Sequence, residues 1–166
     1  MPHALNSNSP VRTRIATSAD VPAMTPVVNA AFVVENFLEG TRTDRERMAT
    51  MMQRGEFLVA EEEPGQLVAA VYVERRNDGR GYFGMLAVDP LRQGSGFGRV
   101  MIEAAEDRCR QLECKFMDIT VLSLRPELPA FYRKFGYIET GTEKFTSSRS
   151  PKDGVKCHCI VMSKCL

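Results

Sequence analysis

From Leu86 to Arg99 the chain reads Leu-Ala-Val-Asp-Pro-Leu-Arg-Gln-Gly-Ser-Gly-Phe-Gly-Arg. An apolar run ends in a Pro turn, passes through a glycine-rich loop and enters a long amphipathic pattern. Residues of these types in this order can bind an anion. The first backbone N–H groups of a helix have no partner within it and carry the positive end of its dipole. Glycines let that backbone approach a phosphate closely. Gln93, Gly94, Ser95, Gly96, Phe97, Gly98 and Arg99 are therefore the candidate phosphate-holding residues. Two common phosphate motifs do not fit. A dinucleotide fingerprint starting at Gly94 and Gly96 needs a third glycine where Arg99 stands, and a P-loop needs a Gly-Lys-Ser/Thr ending that is lacking.

A second chemical segment follows about thirty residues later, Pro126-Glu127-Leu128-Pro129-Ala130-Phe131-Tyr132-Arg133-Lys134-Phe135-Gly136-Tyr137. Phe131, Phe135 and Tyr137 suit a core, and Gly136 suits a helix end. Tyr132 adds a hydroxyl. An unperturbed phenol has a pKa of about 10, so it holds its proton near neutrality and can donate it.

The elements that must position these groups follow from periodicity. Val11 to Ala16 alternates as a strand. Thr17 to Asp20 offers helix caps before Val21, Met24, Val27, Val28, Ala31 and Phe32 at helical spacing. Glu35 to Gly40 is a break, and Thr43 or Asp44 caps a second helix with Met48, Met51 and Met52 inward. Strands are expected at Phe57–Glu61, Leu67–Arg75, Gly81–Val88 and Phe116–Leu122, with helices at Gly96–Leu112 and Pro126–Phe135. Tyr137–Phe145 and Val155–Lys164 form a closing hairpin whose polar tip, Thr146 to Gly154, is expected to be mobile. The order is β-α-α-β-β-β-α-β-α-β-β, an α/β fold with a mixed sheet and helices on both faces.

The chain of 166 residues fits one domain, 11–166, behind a polar N-terminal tail, 1–10, that is expected to be disordered and carries neither a signal nor a spanning segment. Twenty-two basic and 21 acidic residues give a net charge of +1, which offers no electrostatic case for nucleic acid or an anionic membrane as partner. Five cysteines, an odd number, point to a reduced, cytoplasmic setting. Cys157 and Cys159 read as core residues on one strand face rather than half of a metal site, and no metal is expected.

Gln93-x-x-Gly96-x-Gly98 after a Val-x-Pro strand end, and Ala130-Phe131-Tyr132 before Gly136-Tyr137, resemble the acetyl-CoA loop and the tyrosine segment of the GNAT superfamily of N-acetyltransferases, whose element order is also this one. The resemblance extends over about positions 11 to 164 and is tight at those two motifs. It implies a mostly antiparallel sheet of about seven strands, with a parallel pair splayed apart at the cofactor. The pantetheine arm would bond backbone groups of Leu86, Ala87 and Val88, and the pyrophosphate would lie on the glycine loop. An amine would attack the thioester directly, with Tyr132 protonating the departing thiolate. Acetyl-CoA and an amine acceptor are the implied partners, for a monomer or homodimer. The family often has Asn seven residues before the tyrosine; here Arg125 stands there, and a guanidinium donates hydrogen bonds but cannot accept them. The usual strand carboxylate is also lacking, which leaves Glu35 and Glu39 as candidate bases and Glu74 as a weaker one. These two departures keep a second reading open, an acyl-CoA-binding sensor or scaffold without turnover.

Overall fold

The computed structural model describes residues 11–147 and 149–166, so the expected tail at 1–10 lies outside the described residues. Seven strands and four helices alternate in the expected order: β1 (Arg12–Ile15), α1 (Val21–Ala31), α2 (Arg45–Met51), β2 (Glu56–Glu63), β3 (Gln66–Arg75), β4 (Arg80–Val88), α3 (Phe97–Gln111), β5 (Phe116–Leu122), α4 (Glu127–Arg133), β6 (Ile138–Lys144) and β7 (His158–Cys165). The strands form one sheet in the order β1-β2-β3-β4-β5-β7-β6, antiparallel except for the pair β4–β5.

Local chemistry sets the helix starts. The backbone N–H of Thr17 donates to the Asp20 carboxylate at 2.7 Å just before α1, and Pro22 lies in the first turn. Asp44 caps α2 by accepting from the Arg47 N–H at 2.8 Å. Helix α3 begins instead at Gly96, in the left-handed conformation at φ 84°.

The central strands β2 and β3 are buried on both faces, and their alternation divides the core in two. Leu58, Ala60, Val71 and Val73 pack toward Met101, Ile102 and Ala105 of α3. Phe57, Val59, Ala70 and Tyr72 pack toward Met24 and Val28 of α1 and Met48 of α2. Burying a large apolar side chain in this way contributes about 2 kcal/mol each. Cys157 departs from the expectation: it lies just before β7, outside the strand, half-buried like Cys159.

Two irregularities open the sheet. The parallel pairing of β4 with β5 covers only Arg80↔Phe116, Gly81↔Met117 and Tyr82↔Asp118, after which the strands part. On the other side of β4, Ala70 pairs with Ala87 but Tyr72 with Gly84, so β4 carries one extra residue. Met85 takes the left-handed conformation there, at φ 54°. A bulge of this kind leaves a residue unpaired in the ladder and bends its strand. The bend falls where β4 leaves β5.

Candidate active site

The parting of β4 and β5 opens a cleft of about 1600 Å³ between the glycine loop and the α1–α2 connection. It is larger than a typical small-ligand site of roughly 300–1,000 Å³, and has room for an extended ligand and a second molecule.

At one end the site is made of backbone. The Asp89 carboxylate accepts from the Leu91 N–H at 3.0 Å and fixes the Pro turn. Gly94 and Gly96 both have positive φ, at 85° and 84°, and a Cβ at either would meet nothing within 4 Å. Backbone conformation, rather than crowding, is what requires glycine there. The first bond inside α3 runs from the Val100 N–H to the Gly96 carbonyl at 3.2 Å, so the N–H groups of Phe97, Gly98 and Arg99 have no acceptor within the helix. Gln93, Gly94, Gly96, Phe97, Gly98 and Arg99 all line the cleft; Ser95 is in the loop but not in the lining. Arg92 does not offer a free charge, because it pairs with Glu62 at 2.7 Å. Arg99 lies over the Phe135 ring at 5.0 Å.

Along the middle, Leu86 and Val88 line the cleft, whereas the Ala87 side chain is buried in the α1-side core. Tyr132 projects from α4 into this stretch. Its ring packs on Phe131 at 5.1 Å and Phe83 at 6.0 Å between centroids, and only 9% of the residue is exposed. Burial raises its phenol above the ordinary value, and the nearby Arg125 charge pulls less strongly the other way. The hydroxyl therefore stays protonated across the neutral range.

The far end is made of charged side chains. Glu35, 7% exposed, accepts from Arg125 on one carboxylate oxygen and from Arg149 on the other, each at 3.0 Å. Arg149 also donates to the Glu35 carbonyl at 3.1 Å, and Arg125 bonds Glu127 at 2.6 Å. Glu39, the other expected base, is exposed and does not line the cleft. Glu74 accepts from Tyr72 at 2.5 Å and Arg76 at 2.8 Å; burial pushes its carboxyl up, but those hydrogen bonds outweigh it and leave it lowered.

The expected mobile tip of the last hairpin is instead tied down. Arg149 is 5% exposed, Leu38 bridges to Pro151, the Glu39 N–H donates to the Ser150 carbonyl at 2.8 Å, and the Lys152 N–H to that of Phe37 at 3.0 Å. The two polar segments supply each other's backbone partners. The sequence points to the segments from Asn36 to Arg42 and from Thr146 to Gly154 as shaping the pocket, but does not single out Arg42 and Arg149, which line it. Neither belongs to a periodic pattern, so no local signal marks them.

Residues 21–148 match a family model described as an acetyltransferase (GNAT) domain. No curated protein gives a significant sequence match. Among solved structures, the ribosomal-protein-S18-alanine N-acetyltransferase of Escherichia coli is similar at 17% identity and a TM-score of 0.73, over 93% of each chain. A ribosomal-protein-alanine N-acetyltransferase of Brucella melitensis is similar at 25% identity and a TM-score of 0.73, over 93% of this chain and 99% of that one. A phosphinothricin acetyltransferase of Sinorhizobium meliloti, solved with AcCoA, is similar at 22% identity and a TM-score of 0.72, over 94% of this chain and 88% of that one.

Proposed function

The chain belongs to the GNAT acetyltransferase family, and from that premise we propose that it transfers an acetyl group from acetyl-CoA to a primary amine of a small molecule or peptide. The observation that carries this reading is the placement of Tyr132, a buried and protonated phenol, in the same cleft as the left-handed glycines and the free N–H groups at the start of α3.

The N–H groups from Gly94 to Arg99, beside Gln93, would hold the pyrophosphate, and the free edge of β4 at Leu86, Ala87 and Val88 would receive the pantetheine arm. The amine nitrogen attacks the thioester carbonyl carbon. The resulting oxyanion is stabilised by a main-chain N–H of Leu86 or Val88. As the carbon–sulfur bond breaks, Tyr132 gives its proton to sulfur, and the proton shed by the amine restores the phenol through water. Each carboxylate oxygen of Glu35 already accepts from a guanidinium, and we assign this residue to holding Arg125 and Arg149 in place.

Acetyl-CoA at 100 times its dissociation constant should stabilise the fold by about 2.7 kcal/mol, read as a higher Tm. A panel of primary amines should then release CoA thiol, and Tyr132→Phe should lose turnover yet keep the Tm shift. Absence of any Tm shift overturns the donor assignment. A shift with no thiol release from any amine points instead to a domain that binds acyl-CoA without turning it over.

A further inference from the structure

Around Glu35 the cleft gathers three guanidiniums and two carboxylates. Arg125 bridges Glu35 and Glu127, Arg149 pairs with Glu35, and Arg42 is attracted by Glu35 without a direct contact. Arg125 and Arg149 are spent on those two carboxylates. Arg42 forms no hydrogen bond or ion pair among the described residues, although it is half-buried and lines the cleft. Burial pulls its guanidinium below the ordinary value and Glu35 acts in the opposite direction, while Arg149 and Arg47 add further repulsion. Arg149, almost wholly buried, also has an Nε–H with no acceptor among the described residues.

Arg42 is held ready to bind. The backbone next to it is clamped by Asn29, whose side chain accepts from the Thr43 N–H at 2.9 Å and donates to the Thr43 carbonyl at 3.1 Å. Its guanidinium lies over the Phe32 ring at 5.1 Å. The ring face holds the cation by its quadrupole, and the guanidinium N–H groups keep no acceptor among the described residues, which leaves them available for an anion. Arg42 and Tyr132 line the same cleft, so this cation and the proposed acid face one space.

We propose that the acceptor amine carries a carboxylate, as a free amino acid does, and that this carboxylate docks on Arg42. The inference rests on the acetyltransferase reading above and narrows its acceptor to amphoteric amines. Binding an anion completes the hydrogen bonding of a guanidinium that is otherwise partly desolvated and unpaired. It also neutralises the surplus charge around Glu35. A purely cationic acceptor, such as a diamine, would meet that surplus as repulsion.

The test uses the full chain with acetyl-CoA and thiol detection. Glycine, alanine, methionine, phenylalanine and glutamate are each compared with their carboxamides. Conversion to the amide removes the negative charge and lowers the amine pKa, so more of the amide is in the attacking free-base form. A preference for the acid therefore cannot come from amine basicity. We expect at least one acid to be favoured over its amide by roughly 10- to 100-fold in kcat/KM, the effect of one charge-assisted hydrogen-bonded pair. Arg42→Gln should abolish that preference by raising KM for the acid, with the Tm shift from acetyl-CoA intact as proof of folding, and Arg42→Lys should recover part of it. Equal use of acids and amides, an unchanged preference in Arg42→Gln, or acetyl-CoA binding with no carboxylate-bearing amine accepted would each overturn the inference. Loss of the acetyl-CoA shift in the unmodified protein would instead overturn the donor reading beneath it.

Discussion

The two ends of the cleft are built in opposite ways. The glycine-loop end uses backbone: two left-handed glycines, a Pro turn and the first N–H groups of α3, all within the stretch from Asp89 to Arg99. The Glu35 end uses side chains brought together from distant parts of the chain, with Arg125 ninety residues and Arg149 114 residues away from the carboxylate they share. A binding surface of main-chain N–H groups depends on conformation and tolerates changes in side chain. One made of buried ion pairs depends on every partner, because a lone buried charge is strongly destabilising.

Four substitutions probe this contrast. Gly96→Val places a β-branched residue at φ 84° and withdraws the N–H groups of the loop; acetyl-CoA affinity should fall roughly 1000-fold, the worth of about two charge-assisted hydrogen bonds, in a titration calorimetry or thermal-shift measurement. If valine is tolerated, the donor end does not depend on backbone conformation. Tyr132→Phe lies between the two ends and should lower kcat roughly 100-fold at unchanged acetyl-CoA affinity. Because burial raises this phenol, the unmodified protein should show no falling alkaline limb below about pH 10, its rate climbing with pH as the amine loses its proton. An alkaline limb near neutrality would assign the acid elsewhere.

Arg149→Ala should cost about 3 kcal/mol of stability in urea unfolding and raise KM for the acceptor roughly tenfold, while leaving the Tm shift from acetyl-CoA intact. A matching loss of acetyl-CoA binding would mean that the two ends are one unit. Glu35→Gln keeps hydrogen-bond acceptance on one atom only and leaves Arg149 without a counter-charge, so it should also cost about 3 kcal/mol of stability, while its effect on turnover is the smallest of the four. As a holder of arginines, Glu35 should alter KM by a few fold and leave the pH dependence of kcat unchanged. If it is the base, kcat should fall about 100-fold and lose its acidic limb.

The same contrast explains what the sequence made legible. The strand and helix order could be read because apolar residues recur at periods of two and 3.6, as in β3 and α3. The glycine loop and the Tyr132 segment could be read because each is a contiguous run whose spacing carries its geometry. The Glu35–Arg125–Arg149 cluster has no spacing to read, since its members come from the α1–α2 connection, the turn before α4 and the last hairpin. For the same reason the polar tip from Thr146 to Gly154 looked like a free loop. The tip is polar, but its partner, the backbone around Phe37 to Glu39, is more than a hundred residues away. Strand β7 also starts later than Val155, at His158, because that tip is used to reach across.

The three residue pairs that join β4 to β5 also give the molecule a mechanical character. The sheet consists of two stiff plates, β1 to β4 and β5-β7-β6, joined along a short seam. Arg80 and Asp118 form a rivet across that seam, with bidentate contacts of 2.5 and 2.6 Å. Ser163 on β7 ties the same carboxylate to the second plate at 2.5 Å. The angle of the opening is thus set at the closed end of the wedge, on the far side of the seam from any chemistry. A ligand lying along β4 would bear on both plates at the longest lever arm, so a small slackening of the seam would become a large change in gap width where the reacting groups meet.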